Sequence, residues 1–326
     1  MIHARIIGTG SYAPKKVLTN HDLEKMVDTS DEWIFERTGI RERRIVERGQ
    51  TTSDLAYEAA HRAIKAAGIT AQDLDLIVVG TLTPDSAMPS LGCVLQAKLH
   101  AKKAAAFDIY AACSGFIYGL SIADAFIKSG MHETILVVGA EALSRYTDWE
   151  DRTTCVLWGD GAGAAVVQRH AGKRGILSTH LHSDGSYGDV LHIPGGGAAH
   201  PATHETVDRR MHYIKMKGNE TFKIAVRALE DVVQEALDHN KVKAEDIDLL
   251  VPHQANLRII QAMAKRLNMP MEKVVLTIHK YGNTSAASIP MALDEAVRDG
   301  RVKENKLILI EAFGGGLTWA SALIRW

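Results

Sequence analysis

The sequence has few cysteines, almost no net charge and no long hydrophobic run, and each shortage removes a class of function. Cys93, Cys113 and Cys155 are the only cysteines, and none stands in C-x-x-C spacing. An odd number so spaced indicates neither a disulfide framework nor a cysteine-rich zinc site. The fifteen histidines include no HExxH, and the pair His180 and His182 fits the alternation of a strand as easily as a metal site. No metal ligand set is expected. A formal net charge of -1 gives no overall attraction to nucleic acid or to an anionic membrane, so an acidic partner has to meet a local basic patch. The longest apolar runs, Leu74 to Gly80 and Ile135 to Gly139, are too short to span a bilayer and read as buried strands. The opening MIHARIIGTGSYAP lacks the basic start, apolar stretch and cleavage site of a secretory signal, which predicts a cytoplasmic location. No Walker A motif occurs, and GDGAGAA at 159–165 leads into a strand pattern instead of a helix. Nucleotide-phosphate chemistry is set aside on both counts.

What remains is an ordinary soluble composition, 46% hydrophobic and 24% charged over 326 residues, long enough for two domains or one duplicated unit. The duplication is visible. AQDLDLIVVG at 71–80 matches AEDIDLLVPH at 244–253 in an alanine, two aspartates and the apolar run that follows. Each copy follows an amphipathic helix: Ser53 to Ala67, with Leu55, Ala59, Ala63 and Ala67 on one face, and Asn219 to Leu237, with Phe222, Val226, Leu229 and Val233. Downstream, the helix ending at Ser129-Gly130 resembles the one ending at Asp299-Gly300, and aligning those ends sets Cys113 opposite Asn283. Strands follow in both halves, at 134–139 and 306–310, then at 163–168 and 320–325. The order helix, strand, helix, strand, strand thus occurs twice, which predicts two largely parallel sheets in an α/β/α/β/α layered sandwich. The halves are placed at 1–172 and 173–326. The Gly- and Pro-rich stretch from Leu181 to Ala202 is read as loops near the join.

The candidate chemistry lies at strand ends. Cys113 follows the apolar strand AFDIY and a turn of small residues, and opens a helix with Phe116, Leu120, Ala123 and Ile127 on one face. The N–H groups and dipole of a helix start favour a thiolate there. Taken alone, this cysteine reads first as a small buried hydrophobe, the reading kept for Cys93 and Cys155. His253 ends the strand DLLVPH, and Asn283 follows Gly282 where a strand turns into a helix. Alone, the histidine is ambiguous and the asparagine is an N-cap or turn residue. The duplication brings all three strand ends to one edge, so they point to a single site. FGGGLTWA, with Gly315 in its triple glycine, can turn a backbone N–H inward beside that of Cys113 and form an oxyanion hole, although a tight hairpin explains it too.

In IIGTGSYAP, DTSDEWIFERTGIRER, AACSGF, GDGAGAAVV, HLHSDGSYG, VPHQANLRII, GNTSAASIP and AFGGGLTWASALIRW, the chain resembles the β-ketoacyl-[acyl-carrier-protein] synthase III family from end to end. The resemblance implies a thiolase-like fold and a Cys-His-Asn site on Cys113, His253 and Asn283. It implies that the cysteine takes an acyl group from acyl-CoA and that malonyl-acyl carrier protein then loses carbon dioxide and attacks the acyl-enzyme. No cofactor is then required, the CoA thioesters being substrates. By the same motifs Trp33, Arg37 and Arg152 meet the CoA adenine and phosphates, and Asn219 lies on the pantetheine tunnel. Arg258, Lys265 and Arg266 present a basic helix face to the acidic carrier protein. Homodimers are expected, with the TPDSAMPS loop crossing the interface. Met88 in that loop and Trp158 before GDGAG depart from the usual occupants of the acyl pocket, which leaves the starter chain open. So does the sequence leave open a type III-like role in secondary metabolism, with a quinolone or polyketide starter. Papain-like thiol hydrolases share the chain order Cys, His, Asn, but the duplication, the lack of a secretory signal and the lack of a C-G-[SA]-C-[WY] context oppose that reading. The intact Cys-His-Asn set opposes a non-catalytic scaffold.

Overall fold

The computed structural model describes residues 2–326. The first half forms a five-stranded sheet from β1 (Ile2–Tyr12), β2 (Leu76–Gly80), β3 (Ala105–Ile109), β4 (Thr134–Ala142) and β5 (Asp160–Ala171), in the order β1-β5-β4-β2-β3. The second half forms a four-stranded sheet from β6 (Gly175–Ser183), β7 (Leu249–Pro252), β8 (Leu307–Gly314) and β9 (Thr318–Arg325), in the order β7-β8-β9-β6. A single parallel bridge from Leu250 to Val274 adds the rudiment of a fifth strand beside β7. Both sheets therefore share one topology, with β1 matching β6. These opening strands extend the order expected from sequence. Glycines at positions 8 and 10 break the apolar run of β1 and hide it from periodicity.

Seven helices build the layers: α1 (Asp31–Thr38), α2 (Thr52–Ala67), α3 (Leu91–Lys98), α4 (Gly115–Ser129), α5 (Gly218–Asn240), α6 (Leu257–Arg266) and α7 (Ser288–Arg298). The central layer is α4 and α7, and its core takes side chains from both sheets. Phe116, Ile117, Leu120 and Ile127 of α4 and Ile289 and Leu293 of α7 pack on Leu76 and Val78 from one sheet and on Val251, Ile308 and Ile310 from the other. Each such large side chain stabilises the fold by about 1.5–3 kcal/mol on burial. Alternate residues of the same strands, Ile77 and Val79 or Leu250 and Leu309, face outward to α2 and α3 or to α5 and α6. Two covered faces explain why the central strands read as unbroken apolar runs. Among the described residues no helix is long and apolar enough to cross a membrane. Leu181 to Ser183, read from sequence as loop, belong to β6; their pairing with β9 overrides the turn signals that follow them.

Candidate active site

Between β3 and α4 the chain makes one tight helical turn, Ala112–Ser114, opened by Ala112 at φ +44°. That left-handed residue lets Cys113 follow the strand end directly. The turn can sit there because a Cβ on Gly80 would lie 2.7 Å from the carbonyl carbon of Gly115, so only glycine lets the start of α4 rest on the end of β2. A Cβ on Gly314 would come within 2.6 Å of the Cys113 backbone nitrogen. The β8–β9 hairpin is tied to the same turn by Thr318, whose hydroxyl donates to Ala111 O at 2.9 Å and whose carbonyl accepts from Ser114 Oγ at 3.2 Å. Cys113 is buried, and burial pushes its thiol up to about 12. The resting protein therefore holds the neutral thiol, and the helix start alone does not supply the thiolate expected from sequence.

His253 follows β7, its N–H donating to Glu311 O at 2.8 Å. Its Nδ1 lies 2.6 Å from Ser288 Oγ, at the start of α7, and that hydroxyl oxygen accepts from Gln254 N at 3.3 Å. With the Ser288 hydroxyl as donor to Nδ1, the ring hydrogen sits on Nε2. Burial depresses the imidazole to about 3, so it is neutral at physiological pH. Gln254, fully buried, donates to Pro252 O at 2.8 Å and Val275 O at 3.0 Å and accepts from Thr277 N at 2.8 Å. It thereby fixes the segment that leads to Asn283. Asn283 Oδ1 accepts from Ser285 N at 2.8 Å, which points its amide nitrogen elsewhere as a donor. Its backbone bridges the Leu157–Gly159 segment on both sides, N–H to Leu157 O at 2.8 Å and O from Gly159 N at 2.9 Å.

Cys113, His253 and Asn283 line one cavity of about 680 Å³ that runs out past Phe313, Asn219 and Phe222 to Trp33 and Arg37. At its mouth the Arg37 and Arg152 guanidiniums stand 5.4 and 5.3 Å from the Trp33 ring centre. Arg152 also pairs with Asp28 at 3.0 Å. Arg258 lines the mouth from α6, exposed, and Lys265 and Arg266 are exposed at the far end of that helix. A second cavity of about 250 Å³ opens on the other side of Cys113, walled by Leu82, Tyr110, Leu143, Leu191 and Ile214, with Gly315 at its edge. Trp158, buried, borders both cavities. Met88 borders neither and is 87% exposed.

The family model for the C-terminal part of 3-oxoacyl-[acyl-carrier-protein] synthase III matches residues 237–326, and its companion model matches 107–185. A curated β-ketoacyl-[acyl-carrier-protein] synthase III from Alkalilimnicola ehrlichii is 58% identical over 327 residues, covering all of both chains. The crystal structure of 3-oxoacyl-[acyl-carrier-protein] synthase III from Aquifex aeolicus superposes with a TM-score of 0.93 at 54% identity, covering 99% of this chain and 100% of that one. This chain belongs to the β-ketoacyl-[acyl-carrier-protein] synthase III family. The priming β-ketosynthase of the R1128 polyketide pathway is also similar, at TM-score 0.92 and 35% identity over 99% of this chain and 96% of that one. As a family member the protein is an acyl-transferring condensing enzyme with the thiolase-like fold.

Three details of this synthase III differ from the sequence reading. Cys93 is exposed, not buried, because it sits on α3 beside the open edge of β3. Aligning helix ends mispaired the halves: α7 begins at Ser288 after a turn whose first residue, Ser285, has φ +48°, matching Ala112 at +44°. Cys113 is thus the counterpart of Ala286, since α7 is shorter than α4. Third, the neighbours that orient the trio, Ser288 and Gln254, carry no signal of their own in an apolar or small-residue context. The wall of the second cavity, drawn from at least five distant segments, was equally hidden.

Proposed function

We propose that the protein catalyses the decarboxylative condensation of an acyl-CoA starter with malonyl-acyl carrier protein, giving the β-ketoacyl-carrier protein that begins fatty-acid synthesis. The observation that carries this reading is a buried thiol that lines one tunnel with a neutral His253 and with Asn283, whose amide oxygen is engaged and whose nitrogen is left to donate. Cys113 attacks the acyl-CoA carbonyl, the N–H groups of Cys113 and Gly315 hold the oxyanion, and CoA leaves. Malonyl-carrier protein then enters the tunnel. As its carboxylate departs as carbon dioxide, the electron pair moves onto the thioester oxygen, where the two donors stabilise the enolate without any cofactor. The enolate carbon attacks the acyl group and Cys113 leaves. An imidazole depressed to about 3 stays neutral at physiological pH and donates through one nitrogen only.

The cationic pair Arg37 and Arg152 over Trp33 suits the adenine and phosphates of CoA, and Asn219 lies on the path of the pantetheine. Arg258, Lys265 and Arg266 form the docking face for the acidic carrier protein. The units 1–172 and 173–326 contribute the nucleophile and the donor pair respectively. The protein acts in the cytoplasm as a homodimer. β3 is an unpaired sheet edge, and Tyr110, which borders the second cavity, is 72% exposed. A symmetric copy joined there covers Tyr110 and carries its own Met88 toward that cavity, where Met88 and Trp158 limit the acyl chain. The full-length identity of 58% to a synthase III, against 35% to the R1128 priming enzyme, favours the fatty-acid role. Purified protein given acyl-CoA and malonyl-carrier protein should release carbon dioxide and form the β-ketoacyl-carrier protein, with a dimer by light scattering at micromolar concentration. Thioester hydrolysis without carbon–carbon bond formation would overturn the reading.

A further inference from the structure

Behind the nucleophile lies a carboxyl that the chemistry above leaves unused. Glu141, near the end of β4, has no exposed surface. It accepts from Thr83 Oγ1 at 2.5 Å, Thr81 Oγ1 at 3.3 Å and Leu82 N at 3.2 Å, all on the loop after β2. Among the described residues it pairs with no lysine, arginine or histidine. The titratable groups around it are Cys113, Tyr110 and Tyr146, each neutral when protonated. The turn that opens at Ser285 packs against β4, and its left-handed backbone is strained for a non-glycine residue. The Ser285 hydroxyl is sealed from solvent and makes no hydrogen bond; it lines the second cavity together with Cys113 and lies near the Glu141 carboxyl. An unmet buried hydroxyl is unfavourable as well. Both costs fall on one residue that shares a cavity with the reacting sulfur, and they call for a function.

The thiol also lacks a base. His253 Nδ1 is occupied by Ser288, and with the ring proton on Nε2 the imidazole offers the thiol no free lone pair. We infer that Ser285 and Glu141 form a proton relay that takes the Cys113 proton during acyl transfer. The S–H bond breaks and its proton passes to Ser285 Oγ while the Ser285 hydroxyl proton passes to a Glu141 oxygen. The sulfur forms its bond to the thioester carbon. On collapse the carbon–sulfur bond to CoA breaks, and the proton returns from Glu141 through Ser285 to the CoA thiolate. Relay residues are restored, and the thiol proton ends on CoA. Burial lifts Glu141 to about 7, so it is ready to exchange a proton near neutral pH.

The inference rests on Cys113 being the acylated residue, and the sign of one substitution separates the relay from packing. A passive buried carboxylate repels a thiolate, so its removal by Glu141→Gln should speed acylation; the relay requires the opposite. The test is the single-turnover rate of Cys113 acylation by acetyl-CoA between about pH 5.5 and 9, read by peptide mass spectrometry, for wild type, E141Q, E141D and S285A. Wild type should rise through an apparent pKa near 7. E141Q and S285A should lose that limb and fall about tenfold or more at pH 8, the double variant should fall no further, and E141D should recover part of the rate. S285A keeps the backbone N–H that holds Asn283, so it also decides the matter if E141Q does not fold. Unchanged pH profiles in S285A, or faster acylation in E141Q, overturn the relay. An acyl group found elsewhere than Cys113 in wild type overturns instead the reading on which it rests.

Discussion

The two halves of the molecule are built alike and used differently. One constant spacing carries Ala71 onto Ala244, Leu76 onto Leu249, Ala112 onto Ser285 and Thr134 onto Leu307, and each pair occupies the same place in its sheet or turn. The same spacing sets Gly80 opposite His253, Tyr110 opposite Asn283 and Ala286 opposite Cys113. Each group of the trio thus has a counterpart without its chemistry. A duplicated scaffold offers two equivalent crevices, and this chain equips one. The edges differ as well: β3 lies open, while its counterpart around Val274 and Val275 is buried and forms only one bridge. One half leaves its sheet edge open and the other closes it.

The most severe way to break this comparison is to move the nucleophile across the axis. C113A should lower acylation and condensation by at least about 10³-fold, and adding Ala286→Cys to it should restore nothing, because the mirror counterparts of the donors are Gly80 and Tyr110, which lack their chemistry. Recovery of labelling by acyl-CoA at position 286 would mean that the scaffold, not the trio, makes the site. Next in size, H253A or N283A should slow release of carbon dioxide from malonyl-carrier protein by about 10²–10³-fold, while sparing acyl-enzyme formation to within about tenfold. Tyr110→Phe, at the mirror position, should leave carbon dioxide release near wild type. Equal loss in both half-reactions would contradict the assignment of His253 and Asn283 to the enolate.

A third contrast concerns stability. Glu311 stands where the first half has Val138; it is buried, one oxygen has no partner, and burial lifts it to about 8. Its pKa is higher folded than unfolded, so its contribution is full below about pH 4.5 and is lost as pH rises through about 8. Urea unfolding should show the wild type losing about 3–5 kcal/mol over that window, and E311Q losing that much less. Parallel pH curves would show that the carboxyl is not held protonated. The smallest effect belongs to the helices after β2 and β7. Reversing Arg258 and Lys265 on α6 should raise the KM for malonyl-carrier protein about tenfold, or 1.4 kcal/mol, with loss of salt sensitivity, and spare Cys113 acylation by acyl-CoA. Reversing Lys98 on α3, which pairs with Asp54 at 2.5 Å, should leave that KM unchanged.

Much of this was legible in the residues. The repeat shows because the aspartates and apolar residues of 71–80 and 244–253 hold equivalent helical turns and strands, so the same side chains recur. Cys113 and His253 show because strand ends mark the ligand edge of such sheets; Asn283, read as following a strand, instead follows the short helix Ile278–Tyr281. The register between halves did not show, since it depends on φ at Ala112 and Ser285, and neither residue type advertises a left-handed backbone. Glu141 was invisible for a related reason: one acid at the end of VVGAEAL reads as a strand end meeting water, and only the packing of the Ser285 turn on β4 buries it.

The central claim, that one thiol of three is the acyl acceptor, is tested most directly by peptide-mapped mass spectrometry of the intact enzyme after brief exposure to acetyl-CoA. The account predicts one acetyl group per chain, on Cys113, although Cys113 is buried and Cys93 is the exposed thiol. Acetylation of Cys93 or Cys155 in its place, or of no cysteine at all, would contradict it.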